Sequence, residues 1–259
     1  MLVDITPVIL TYNESPNIER TLSQLIWANR IVVIDSQSSD STLDILQCYP
    51  QVEIFQRKFD THANQWNYGI DQVRTEWVLS LDADYVLSDE LISELKQLAP
   101  SPSIEVDGYF IAFKYCVAGK PLRGTILPPR QALFRKTRSR YVDDGHTQLL
   151  EVRGESDCLT HPIYHDDRKP LSRWIWAQDR YMLLEVKKLR EKAVDELSWG
   201  DRIRKTKILA PFVILLYCLI LKGGLFDGWR GWYYAFQRMF AELLLALRMI
   251  EAELSTRKE

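Results

Sequence analysis

The sequence predicts an α/β fold: a doubly wound, mainly parallel sheet with helices on both faces, followed by a C-terminal helical segment. Two observations carry this. Short Val, Ile and Leu runs alternate with amphipathic stretches of 10 to 14 residues over roughly residues 1–115, the pattern of a parallel sheet covered on both sides. From about Leu171 the strand signal stops and long apolar stripes at helical spacing replace it.

Taken in order, "ITPVILTYN" is a strand, and "SPNIERTLSQLIWA" sets Ile18, Leu22, Leu25 and Ile26 at helical spacing behind a Ser15-Pro16 start. "RIVVIDS" is a second strand, with "SSDSTLDILQCY" as its helix and Asp40 as the cap. "VEIFQR" and "NQWNYGIDQV" give the third pair, and "EWVLSL" the fourth strand. Neither a repeat nor a low-complexity tract is visible. The expected organisation is an α/β domain over residues 1–170 and a helical segment over 171–259.

Composition narrows the function. A formal net charge of −2 argues against nucleic acid as the main partner. Cysteines at 48, 116, 158 and 218 form neither a C-x-x-C pair nor a dense framework, so a reducing cytosol fits best. The first residues show no basic stretch leading into an apolar one, hence no visible signal peptide.

Ligands of an open α/β sheet bind beyond the carboxyl ends of the strands, so the strand-terminating residues are the informative ones. Strand one ends at Thr11-Tyr12-Asn13-Glu14, strand two at Asp35, and strand four at Asp82-Ala83-Asp84. Two carboxylates two residues apart raise a pKa or require a cation. A divalent ion held by one or two of them would keep positions open for a substrate diphosphate. A D-x-D alone is a weak signal.

"VILTYNES", "VVIDSQSSDST" and "LSLDADYVLSDEL", in that order and each at a strand end, together resemble the family 2 glycosyltransferases of the GT-A fold, closest in feel to bacterial enzymes of cell-envelope and lipopolysaccharide-core assembly. The resemblance implies a nucleotide-diphosphate sugar donor, a hydroxyl acceptor on a lipid-linked or envelope glycan, and Mg²⁺ or Mn²⁺. It places Thr11, Tyr12, Asn13, Glu14 and Asp35 around the nucleoside, with Asp82 and Asp84 at diphosphate and metal.

Downstream, Arg130, Arg135, Lys136, Arg138 and Arg140 crowd one stretch. A solvated basic face is the plain interpretation. As a diphosphate clamp, Arg130 and Arg135 are the expected pair, because guanidinium meets phosphate oxygens bidentately. An inverting displacement needs a base opposite the leaving group, and "YVDDGHTQ" is the best source: Asp144 is the expected base, beside a glycine that permits close approach, with His146 near the substrate. Asp143, His146 and Glu151 are its rivals. Family members often carry His-Glu here, where this chain has His146 and Gln148. His161 and His165 are four apart, but Pro162 opposes the helix that metal-ligand spacing would need, leaving hydrogen-bonded structure as their expected role. No partner for His62 is legible.

In the helical segment, Trp174, Ile175, Met182, Val186 and Leu189 suggest core packing. Arg202, Arg204, Lys205 and Lys207 then precede the apolar run Ile208 to Leu221, about 21 Å as a helix and too short for a roughly 30 Å hydrocarbon core. Basic flanks, the aromatic cluster after it and a second amphipathic helix predict residues 202–254 lying in the interface of the inner membrane's cytoplasmic face. Two other functions compete: a haloacid-dehalogenase-type phosphohydrolase, because "LDADYV" fits its motif, though that family carries it on the first strand, and a non-catalytic membrane-bound scaffold.

Overall fold

The computed structural model describes residues 2–98, 106–144, 147–192 and 197–256. The first part of the chain alternates as expected: β1 (Ile5–Thr11), α1 (Ile18–Ser23), β2 (Ile31–Asp35), α2 (Thr42–Gln47), β3 (Val52–Gln56), α3 (His62–Gln72) and β4 (Trp77–Asp82). A short β5 (Tyr85–Leu87) and α4 (Asp89–Gln97) follow, then β6 (Val106–Ile111), β7 (Phe113–Val117), β8 (Lys120–Pro121), β9 (Arg130–Arg135), β10 (Ser139–Asp144), β11 (Thr147–Val152), β12 (Glu155–Cys158) and β13 (Ile163–His165). The helical part comprises α5 (Leu171–Glu191), α6 (Trp199–Lys205), α7 (Leu209–Leu216), which continues as a π-helical turn over Tyr217–Leu221, and α8 (Trp229–Thr256).

The main sheet has seven strands in the order β12-β6-β9-β4-β1-β2-β3. All neighbours are parallel except those of β9, which runs against both β4 and β6. The sheet therefore extends well past residue 115. The core strands β1, β2 and β4 read as continuous apolar runs because helices cover both faces: Ile9, Val33 and Leu79 pack with Leu22 and Leu46 on one side, Val8, Ile34 and Val78 with Trp66 and Ile70 on the other. Gly69 in α3 lets that helix approach, since a Cβ there would lie 2.7 Å from Val8 Cγ1. A smaller sheet orders β5-β13-β7-β8, and β10 pairs with β11 alone.

The first helix departs from its expected form. It begins at Ile18, and its N-cap Asn17 makes no side-chain capping bond, so Ser15 is not the cap. Ile18, Leu22 and Leu25 are fully buried, but Ile26 is 73% exposed because the helix has already ended at Ser23. The second helix has Ser41, not Asp40, as its N-cap, without a side-chain capping bond; Asp40, one residue earlier, accepts from Thr42 N at 3.0 Å.

By contacts, the chain divides into two compact units: Met1–Pro121 with Leu127–Lys169, and Leu122–Ile126 with Pro170–Glu259. In the helical unit, Met182, Val186, Leu189, Leu197, Leu245 and Met249 form an apolar cluster. Arg204 lies among Glu242 (2.8 Å), Asp201 (3.2 Å) and Glu185 (3.4 Å), and Lys207 binds Glu253 at 2.6 Å. With Arg202 Nε donating to Leu197 O at 3.2 Å, three of the four basic residues before the apolar run are engaged within the protein. Of the stripe expected to pack in α5, Val186 and Leu189 are buried and Met182 packs against them, whereas Ile175 is 38% exposed.

Residues Leu122–Ile126 are stitched into this unit: Asp227 Oδ2 accepts from Arg123 N (2.8 Å) and Gly124 N (3.2 Å), and Tyr234 Oη accepts from Ile126 N (3.2 Å). Three glycines allow it. A Cβ on Gly231 would sit 1.9 Å from Gly224 O, and one on Gly124 2.8 Å from Gly224 Cα. Because the obstructions are backbone atoms, Gly231→Ala should destabilise the helical unit by at least the ~1–3 kcal/mol of an overpacked core. The unfolding of helical signal on heating reads this; a variant that melts with the parent contradicts the packing.

Candidate active site

Parallel pairing aligns the ends of three strands. In register, Thr11 lies opposite Asp35 and Leu10 opposite Asp82, so the three strand-end motifs converge at one edge of the sheet. Asp35 is fully buried: Oδ1 accepts from Thr11 Oγ1 (3.1 Å) and Ser38 Oγ (2.5 Å), and Oδ2 from Ser38 N (2.9 Å). These bonds shape the loop after β2, which in turn receives the loop after β1. Asn13 Oδ1 accepts from Ser39 N and Asn13 N donates to Ser38 Oγ, both at 2.8 Å. Asn13 (φ 55°) and Gln37 (φ 64°) both adopt the left-handed conformation, a cost that surrounding bonds sustain and that clusters at functional loops. Tyr12 is 44% exposed above them.

Beyond β4 the chain turns through Ala83 and Asp84 into β5, whose antiparallel partner β13 places His165 across from Tyr85. The His165 Nε2 comes 3.2 Å from Asp84 Oδ2, with the ring edge-on to Tyr85 and Tyr115. Burial alone would raise the pKa of Asp84, but His165 and Lys169 bring it down to about 2. Burial works against the imidazolium in turn, yet Asp84, followed by Asp82, raises the His165 pKa. Of the two expected outcomes, a raised pKa or a cation beside the carboxylates, Asp84 shows no raised pKa: the buried His165 beside it keeps it low. Asp84 Oδ1 and His165 Nδ1 are buried without a hydrogen-bond partner.

The remaining expected residues divide. Arg130 opens β9 at this end and donates to Tyr85 Oη at 3.3 Å; Tyr85, with Asp82 behind it, raises its pKa. Arg135 closes β9 and registers with Trp77, the first residue of β4, whereas Asp82 is the last. It stacks 4.9 Å over Trp77 and pairs with Glu76 and Asp107. Antiparallel pairing sends the far end of β9 to the opposite edge of the sheet, so Arg135 is not brought to the carboxylates. Asp144 ends β10, in register with Thr147, while its side chain lies outside what is described, as does residue His146.

Around the expected Glu14 the site gains two residues that sequence reasoning missed, Lys169 and Asn17: Glu14 Oε1 accepts from Lys169 Nζ at 2.7 Å and Oε2 from Asn17 Nδ2 at 2.9 Å. Burial pushes Glu14 up to about 7 although Lys169 opposes it, and Asp84 adds to the rise. Despite its own burial, Lys169 is raised by Glu14, Asp84 and Asp167 and stays charged. The sign in the sequence was "HDDRK", a dense charge run directly after the short apolar strand.

Among the described residues no group of three or more His, Cys, Asp and Glu could hold a metal by itself. What fits an ion is a smaller set: the unpartnered Asp84 Oδ1 and the adjoining His165 imidazole.

A sheet of this order, with carboxylates at its central strand ends, defines a GT-A-type fold. The solved structure of mannosyltransferase PcManGT from Pyrobaculum calidifontis, in complex with GDP-Man and Mn²⁺, superposes with a TM-score of 0.53 at 16% identity over 95% of this chain and 87% of that one, a likeness of fold. The family model "Glycosyl transferase family 2" matches residues 6–149, and the chain belongs to that family. It is 24% identical over 230 residues to lipopolysaccharide core biosynthesis glycosyltransferase LpsC of Rhizobium meliloti (strain 1021), covering 86% of this chain and 81% of that protein. It is also 36% identical over 101 residues to SPbeta prophage-derived glycosyltransferase SunS of Bacillus subtilis (strain 168), a match spanning 37% of this chain and 23% of that relative's length.

Proposed function

We propose that this protein is an inverting glycosyltransferase that moves a sugar from a nucleoside-diphosphate donor to a hydroxyl of a cell-envelope glycan, with residues 1–170 catalytic. The convergence of Asp35, Thr11, Asp82 and the Asp84–His165 pair at one sheet edge carries this reading. The lipopolysaccharide-core relative supports the acceptor class, and the GDP-Man and Mn²⁺ of the mannosyltransferase complex support the donor class and a divalent ion.

In this reading the loops after β1 and β2, with Tyr12 and Asn13 at the surface and Asp35 holding them from beneath, form the nucleoside seat. Asp84 and His165 would hold Mg²⁺ or Mn²⁺, with Asp82 near the donor's ribose and the ion; when bound, such an ion would supply positive charge against the diphosphate. Arg130 faces the same carboxylates and adds positive charge, while Asp144 takes the proton of the attacking hydroxyl. A thermal-shift panel of nucleoside diphosphates with and without Mn²⁺ tests the reading. Metal-dependent stabilisation by a diphosphate is the expected result; turnover of phosphate monoesters without it would favour the phosphohydrolase instead.

The helical unit we assign to the membrane surface, on the cytoplasmic leaflet. Among the described residues no helix is long and apolar enough to cross a membrane. A broad set of large apolar side chains is nevertheless exposed, including Ile208 (72%), Leu221 (76%), Phe226 (78%) and Trp229 (60%). Phe212, Leu216 and Ile220 are also more than half exposed at i, i+4, i+8 spacing, while Leu219 is buried. Burying a large apolar side chain contributes about 1.5–3 kcal/mol, so three outweigh a few salt-screened charges. Flotation with anionic liposomes should survive high salt and be lost when Phe212, Leu216 and Ile220 become Ser; a floating triple variant would overturn the assignment.

A further inference from the structure

The segment from Asp166 to Lys169 is pinned along its main chain. Asp166 N donates to Asp84 O at 3.0 Å. Asn17, fully buried, donates from Nδ2 to Asp167 Oδ1 (2.9 Å) and accepts at Oδ1 from Arg168 N (2.8 Å), and Lys169 N donates to the same Asp167 Oδ1 (3.0 Å). Its cations differ in how they are held. Arg168 is forked onto Asp166 at 3.0 and 2.8 Å. Arg20 donates to Pro16 O, Asn17 Oδ1 and Asp166 O. The Lys169 ammonium, by contrast, is tethered by one short bond to Glu14, with Asp167 at 3.9 Å, and its side chain is 19% exposed.

We propose that Lys169 is a donor-binding residue whose ammonium leaves Glu14 for the diphosphate oxygens of the nucleotide sugar. The inference rests on the donor reading above. A diphosphate placed at Asp84 faces the carboxylates of Glu14, Asp82, Asp84 and Asp167, against which the ion and Arg130 are the cations assigned so far; Lys169, within electrostatic reach of Asp84, adds a further one. Lysine suits that task as a compact charge on a flexible stem, here anchored at a fixed backbone. In the transfer, the bond between anomeric carbon and diphosphate oxygen breaks with its electron pair going to that oxygen. The acceptor oxygen forms the new bond, and its proton goes to the base. Lys169 acts on the charge growing at the departing oxygen. Glu14, already raised by burial, can accept a proton when the ammonium departs, so no buried charge is stranded.

Calorimetric titration of uridine, UMP and UDP, and of the guanosine series, at saturating Mn²⁺ separates the possibilities. The parent should gain affinity from monophosphate to diphosphate in one series. Lys169→Met should lose about tenfold to a hundredfold of the diphosphate's affinity, the range of a charge-assisted hydrogen bond, with nucleoside affinity unchanged. Lys169→Arg should restore most of it. The double variant Lys169→Met, Glu14→Gln replaces the carboxylate left without its ammonium partner; it should melt near the parent and lose the gain from monophosphate to diphosphate as the single variant does. A double variant that keeps the full diphosphate gain makes Lys169 a structural partner of Glu14 and overturns the proposal. A parent that gains nothing from the diphosphate in either series overturns the donor reading itself.

Discussion

Asp84→Asn should abolish sugar transfer in the presence of Mg²⁺ or Mn²⁺. The amide has no charge to offer the ion, and the loss should not be rescued by raising the metal concentration, because His165 alone makes a poor site for a hard cation. Melting without ligand should fall as well. A carboxylate held at about 2 instead of near 4 contributes on the order of 2 kcal/mol at neutral pH, present above about 4 and lost as the pH falls through 2. The same pair predicts how metal binding varies with pH. Binding must displace the proton that Asp84 stabilises on His165, and that proton is held to higher pH than on a free imidazole, so metal affinity should rise as the pH is raised through neutrality. An Asn variant with parental activity would remove Asp84 from the site.

Asp144→Asn should lower kcat by about 10² to 10⁴ while donor and metal bind with near-parental affinity, as for the removal of a positioned base. The carboxylate is proposed to act on the acceptor hydroxyl alone, so dissociation constants for nucleoside diphosphate and metal should not move. If Asp144→Asn keeps most of its kcat while Asp143→Asn or His146→Ala loses it, the base is the neighbour.

The parallel half of the fold was legible because its strands are buried on both faces and so carry uninterrupted apolar runs. Thr11, Asp35 and Asp82 could be placed for the same reason: a strand's last residue is identifiable once its apolar run is. Two kinds of information were missing. The antiparallel strand β9 is placed in the sheet centre by its pairing with β4, and without its direction Arg130 and Arg135 looked equivalent although they lie at opposite ends of one strand. The second was the partner of Asp84. The "THPIYHDD" stretch correctly opposed a helix, but a three-residue strand gives little signal, and only its pairing with β5 delivers His165 to a carboxylate 81 positions earlier. Glu14 and Lys169 meet across 155 positions for a similar reason.

The five residues Leu122–Ile126 bear on how the chain can be divided. Their amides are held by Asp227 and Tyr234, so the polypeptide enters the helical unit once in mid-sequence and again at Pro170. A fragment ending at residue 170 would keep this excursion and discard what receives it, leaving the Arg123, Gly124 and Ile126 amides without their acceptors. The helical unit is therefore not a detachable cassette. Exchanging it between relatives requires carrying two separated stretches of sequence together.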